Sequence, residues 1–154
     1  MRILVIEDVE KQRKTLRETL LDHYGPAVQV DVASTEAEFY TWFDNMVTGP
    51  VPDIAIIDIM LPWTLPRSED FTAGREPPRP PPDHPMNEAG FRCARRLRSS
   101  PLTENVPLIF YTAFPPDIVD KLMVEFPDAI HKRKDGDYPA LFERIDEQLG
   151  KNRA

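Results

Sequence analysis

The stretch Asp53-Ile54-Ala55-Ile56-Ile57-Asp58-Ile59-Met60-Leu61-Pro62 constrains the fold more than any other. Four apolar residues run without alternation and are stopped by a carboxylate, Asp58. A strand that reads this way is buried on both faces, as in the centre of a parallel sheet. Asp58 then stands at the carboxyl end of the strand, where open parallel sheets form their ligand crevice. An acid there also has a plain reading as a helix cap or loop residue.

The rest of the chain alternates strand and helix around it. Arg2–Ile6 reads as a strand ended by Glu7 and Asp8, and a helix follows from Val9 to about Tyr24 with Val9, Leu16 and Leu20 on its apolar face. Gly25-Pro26 stops that helix. Val28–Val32 alternates and is expected to be a strand with one wetter face, near an edge. Ser34 or Thr35 caps the next helix, whose stripe is Phe39, Phe43, Met46 and Val47. Beyond Asp58, Asn87 is a plausible cap for a helix to about Ser99. Asn105–Tyr111 reads as a strand ended by Thr112, Pro115-Pro116-Asp117 opens a helix to about Phe126, and Ala129–His131 is a short last strand. Lys132-Arg133-Lys134 follows it, and Tyr138–Leu149 is the final helix. The expected fold class is α/β, a doubly wound, five-stranded parallel sheet with helices on both faces.

Residues 63–86 break this rhythm. Prolines stand at 66, 77, 78, 80, 81, 82 and 85 with no helical or strand period, so the segment is expected to be an extended, partly polyproline excursion. The single domain is therefore expected to span 1–149, interrupted by the 63–86 loop, with 150–154 as a tail.

Composition narrows the function. A net charge of -7 makes direct nucleic-acid binding a poor expectation. No apolar run reaches transmembrane length and the chain opens on a strand, so the expected compartment is the cytoplasm, with no membrane association. A single cysteine, Cys93, leaves no internal disulfide and no multi-thiolate metal site; it is expected to be an inert, buried or half-buried helix thiol.

In such a sheet the strand ends converge, and they carry Glu7, Asp8, Asp58, Thr112 and Lys134. Three clustered carboxylates repel one another unless a cation offsets them, which implies a hard divalent ion such as Mg²⁺. Asp58 could then attack a phosphoryl group, while the Thr112 hydroxyl and the Lys134 ammonium hold its other oxygens.

These motifs resemble the receiver domains of two-component response regulators. The resemblance rests on Glu7-Asp8 after the first strand, Asp58 in Ile-Asp-Ile-Met-Leu-Pro, Thr112 in Tyr-Thr-Ala, and a late lysine. The family's proline lies four positions after its phosphoacceptor, as Pro62 does here. Its glycine and threonine follow at about eight and about thirty positions; Gly90 and Thr112 stand 32 and 54 after Asp58. One insertion of about 24 residues accounts for both offsets. From Thr112 to Lys134 the spacing of 22 needs no gap, which favours Lys134, although Lys132 or Arg133 could substitute if the strand slips. The resemblance implies a flavodoxin-like fold of strand order 2-1-3-4-5. It implies Asp58 as phosphoacceptor, Thr112 and Lys134 as phosphoryl-binding residues, and Mg²⁺ held by Asp8, Asp58 and the Met60 backbone carbonyl, with Glu7 acting mainly through a metal-bound water. The implied partners are a histidine kinase or phosphotransfer protein and an unknown output protein, and a homodimer is admitted. Because little chain follows Leu149, a stand-alone receiver, or one cut from a longer protein, is expected: a signalling switch rather than a turnover enzyme.

Three departures bear on that expectation. The insertion enters next to the phosphoacceptor and suggests either a docking arm or an inconsequential spacer. His131 stands where the family usually has a coupling Tyr or Phe, and Asp135 where many members have proline. Met60, two positions after Asp58, offers nothing to an attacking water, so a long-lived phosphoryl group is expected; it also argues against a haloacid dehalogenase-type phosphohydrolase, which needs a second Asp there. The alternative is a pseudo-receiver, a binding module that signals without phosphate.

Overall fold

The computed structural model describes residues 1–46, 49–64 and 85–151. Five strands, β1 (Arg2–Ile6), β2 (Gln29–Ala33), β3 (Ile54–Ile57), β4 (Leu108–Thr112) and β5 (Ile130–Arg133), form one sheet in the order β2-β1-β3-β4-β5, with every neighbouring pair parallel. The helices are α1 (Glu10–Tyr24), α2 (Glu36–Met46), α3 (Ala89–Arg98), α4 (Pro116–Leu122) and α5 (Tyr138–Lys151). Val47, expected on the α2 stripe, lies outside the described residues, as do residues 65–84 of the expected excursion and 152–154 of the expected tail.

The unalternated central strands are explained by two cores. Ile3, Val5, Ile54, Ile56 and Ile109 pack with Leu16 and Leu20 of α1 and Leu141 and Ile145 of α5. Leu4, Ile6, Ala55, Ile57, Leu108 and Phe110 pack on the other face with Phe39 and Phe43 of α2, Phe91 and Leu97 of α3, and Val119 of α4. Side chains alternate between faces along each strand, and both faces are covered, so every position is apolar. β2 pairs only with β1 and is an edge, but its burial does not follow the alternation of its sequence: Val32 is exposed, whereas Asp31 is half-buried and accepts from Arg2 Nε and Trp42 Nε1.

Local chemistry moved several boundaries. Val9 is the cap residue of α1, in extended backbone and 43% exposed, and is not part of the buried face. Asn105–Pro107 precede β4 rather than belonging to it: Val106 N–H closes a turn onto the Thr103 carbonyl, and Arg98 Nη1 holds the carbonyls of Glu104 and Val106 at 2.6 and 2.7 Å. Asn87 does not cap α3; it lies in a 3₁₀ turn, Met86–Glu88, that leads into the helix at Ala89. β5 continues to Arg133, two residues beyond His131. Thr35 does cap α2: its hydroxyl accepts the Glu38 N–H at 3.1 Å, and the Glu38 carboxylate reaches back to the Ser34 N–H at 2.7 Å. Cys93 is a buried free thiol.

The excursion leaves and returns at one place. Leu61 N–H donates to the Met86 carbonyl at 3.2 Å, and the carbonyls of Pro62 and Trp63 accept the first free N–H groups of α2, Glu36 and Ala37, at 3.0 Å each. Glu36, almost wholly buried, is held by Arg92 of α3 through two 2.7 Å bonds. Residues on either side of the break in the pattern are thus tied to one helix.

Candidate functional site

Strand ends bring the five expected residues to one crevice. Glu7 continues β1: its N–H donates to the Ala33 carbonyl at 3.0 Å. Asp58 follows β3 directly, and its N–H donates to the Ile6 carbonyl at 2.8 Å, which sets it beside the end of β1. Thr112 is the last residue of β4 and is buried. The Lys134 N–H donates to the Thr112 carbonyl at 2.9 Å, so the lysine side chain starts beside the threonine. Gly90 lets this loop close. Its N–H donates to the Ile59 carbonyl at 2.9 Å, and a Cβ there would stand 2.2 Å from the Asp58 carbonyl oxygen. The glycine that the resemblance matched across the insertion is the residue whose missing side chain admits the Asp58 backbone.

Within the crevice Lys134 Nζ lies 2.5 Å from Glu7 Oε2 and 2.5 Å from Asp58 Oδ2. The three side chains are 3 to 10% exposed. Lys132 instead pairs with Asp135 at 2.7 Å, so the strand has not slipped and Lys134 is the lysine that faces the acids. Carboxylate oxygens of Glu7, Asp8 and Asp58 lie within 4.8 Å of one another. Met60 follows in the loop, its N–H 3.4 Å from Asp58 Oδ1. Thr112 Oγ1 accepts the Phe114 N–H at 3.4 Å.

The electrostatics are those of acids crowded around too little positive charge. Burial pushes the Glu7 carboxyl above its ordinary range, outweighing its bond to Lys134, and the Asp58 charge adds to the rise. Burial, and then the charge of Asp58, hold Asp8 high as well. Burial pulls the Lys134 ammonium down, but Asp58 and Glu7 outweigh it and leave the lysine above its ordinary value. One carboxylate oxygen from each of three acids, packed this closely, is a donor set suited to a hard divalent cation such as Mg²⁺, whose charge would offset their mutual repulsion.

His131 lies on β5 opposite Phe110, with its Nε2 buried and without a hydrogen-bond partner. Burial lowers its pKa, Asp120 of α4 opposes that, and Lys132 adds to it. Sequence reasoning missed Arg13. Its guanidinium turns back from α1 and donates from Nη1 to the carbonyls of Glu7 and Asp8, both at 2.9 Å. It missed the Glu36–Arg92 pair as well, which spans the excursion and leaves no local pattern.

No protein-family model matches the chain, and no curated protein matches it. Solved structures do. The signal receiver domain of a DNA-binding response regulator from Colwellia psychrerythraea superposes with a TM-score of 0.68 at 18% identity, covering 97% of this chain and 98% of that one. The BeF3-activated N-terminal receiver domain of RstA from Klebsiella pneumoniae gives 0.66 at 18% identity, with 97% and 98% covered. The receiver domain of the Francisella response regulator 1452 gives 0.66 at 15% identity, with 98% of both chains covered. The chain has the fold of the response-regulator receiver domains.

Proposed function

We propose that this chain is a receiver in which Asp58 accepts a phosphoryl group in a Mg²⁺-dependent reaction, and that the modified form changes its protein contacts. The observation that carries the reading is the set of three carboxylates, Glu7 and Asp58 buried and Asp8 half-buried, with the Lys134 ammonium among them at the ends of β1, β3 and β5. In this reading Asp8, Asp58 and the Met60 carbonyl hold the metal, with Glu7 acting through a bound water. The metal, when bound, offsets the charge of the acids and of the incoming phosphoryl group. An Asp58 carboxylate oxygen attacks phosphorus of a phosphohistidine on a partner kinase or phosphotransfer protein. The P–O bond forms as the P–N bond breaks, and the electron pair leaves on the imidazole nitrogen. Lys134 releases its bond to Asp58 and takes a phosphoryl oxygen, and the Thr112 hydroxyl takes another. The change at these two strand ends biases the loops that follow β3 and β4 and so selects an output protein. With Met60 where a phosphohydrolase has its second acid, the protein acts as a cytoplasmic switch and not as a turnover enzyme.

A thermal melt with Mg²⁺ and beryllofluoride, a phosphoryl mimic, tests this. A ligand held at 100 times its dissociation constant stabilises by about 2.7 kcal/mol, so Tm is expected to rise by several degrees in the wild type and not in Asp58→Ala. Unchanged melting of the wild type would contradict it and leave the pseudo-receiver reading, which His131 favours.

A further inference from the structure

We infer that Arg13 is a positioning residue for the acidic site: its guanidinium fixes the backbone of Glu7 and Asp8 so that both carboxylates face Asp58. The inference rests on the receiver reading for the use of the site and on contacts alone for the positioning. Arg13 is the fourth residue of α1, within its first turn. A cation there opposes the helix dipole, so helix stability does not explain it. What does is the reach of the side chain. Arginine side chains on a helix lean toward its N-terminus, and Nη1 donates to two consecutive carbonyls, those of Glu7 and Asp8, at 2.9 Å each. The same backbone is held from the sheet by the Glu7 N–H bond to Ala33 and from the helix by the Arg13 N–H bond to the Val9 carbonyl.

With residues 7 and 8 clamped, the acids have little choice of direction. Glu7 Oε1 accepts the Val9 N–H at 3.1 Å while Oε2 meets Lys134. Groups that orient ligands from behind typically alter metal affinity by about 10–100-fold when removed.

The test uses the whole chain, with Lys14→Ala as control, since Lys14 is exposed and its only near acid is Glu18 at 4.0 Å among the described residues. Two readouts are taken: Mg²⁺ affinity by calorimetry, and amide exchange of Val9 without metal, because that N–H reports whether the Glu7 carboxylate is in place. Arg13→Ala is expected to weaken Mg²⁺ binding about tenfold and to speed Val9 exchange by a similar factor, with Tm little changed. Arg13→Lys keeps the charge without the planar fork and is expected to fall between; it carries the test if the alanine variant does not fold. Wild-type affinity and wild-type Val9 exchange in both variants would overturn the inference. A wild type that binds no Mg²⁺ would contradict the receiver reading instead, and Val9 exchange would still decide the role of Arg13.

Discussion

A methyl group at Gly90 would stand 2.2 Å from the Asp58 carbonyl oxygen and 2.6 Å from the Ile59 Cα, both backbone atoms that cannot rotate away. Gly90→Ala is therefore expected to cost about 2–3 kcal/mol by overpacking, read from denaturant melts, and to slow modification of Asp58. Wild-type stability would mean that the α3 start can shift freely. Asp8 makes the opposite case. Its carboxyl is held high, so its charge opposes folding. This opposition is absent below the unfolded carboxylate pKa, near 4, and grows as pH rises through the higher folded value. Metal-free Asp8→Asn is expected to melt slightly above wild type at pH 7, with the gap closing toward about pH 4, and to lose the stabilisation by Mg²⁺. His131 has the reverse sign. Its folded pKa is lowered, so its contribution is present above about pH 6.5 and lost as pH falls through the folded value. His131→Phe is expected to gain on wild type as pH drops from about 7 to 5 in melts, and a constant difference would refute the buried-imidazole account. The strand-end positions of Glu7, Asp8, Asp58, Thr112 and Lys134 were legible because each follows a short strand pattern, whereas Gly90 was matched only through the resemblance, across the insertion. Arg13 was not, because a basic residue near a helix start carries no pattern of its own.

Elements were legible where burial dictates sequence. The central strands announce themselves by unbroken apolar runs and the amphipathic helices by period, whereas boundaries such as 105–107 depend on a turn and an arginine clamp that only tertiary contacts supply. The link between α2 and α3 was invisible, since Glu36 and Arg92 lie 56 positions apart across the excursion. Removing Arg92 would leave a buried, unpaired carboxylate. Arg92→Ala is expected to cost about 3 kcal/mol, and the double change Glu36→Gln with Arg92→Met much less; equal losses in denaturant melts would show that packing, not charge, ties the two helices.

At the scale of the whole molecule, apolar residues on both faces of the central strands require a sheet sandwiched by helices, and short loops between strand and helix require parallel strands. The order β2-β1-β3-β4-β5 followed from the resemblance, because periodicity alone does not rank neighbours in a sheet. That topology places Glu7, Asp8, Asp58, Thr112 and Lys134 at one end of the sheet. Among the described residues no helix is long and apolar enough to cross a membrane. In the proposed receiver reading, this end of the sheet accepts a phosphoryl group on Asp58. Intact mass after incubation with Mg²⁺ and acetyl phosphate tests it most directly. One added phosphoryl group in the wild type, absent from Asp58→Ala and from a magnesium-free sample, is the predicted result. An unmodified, folded wild type, or equal modification of Asp58→Ala, would contradict it.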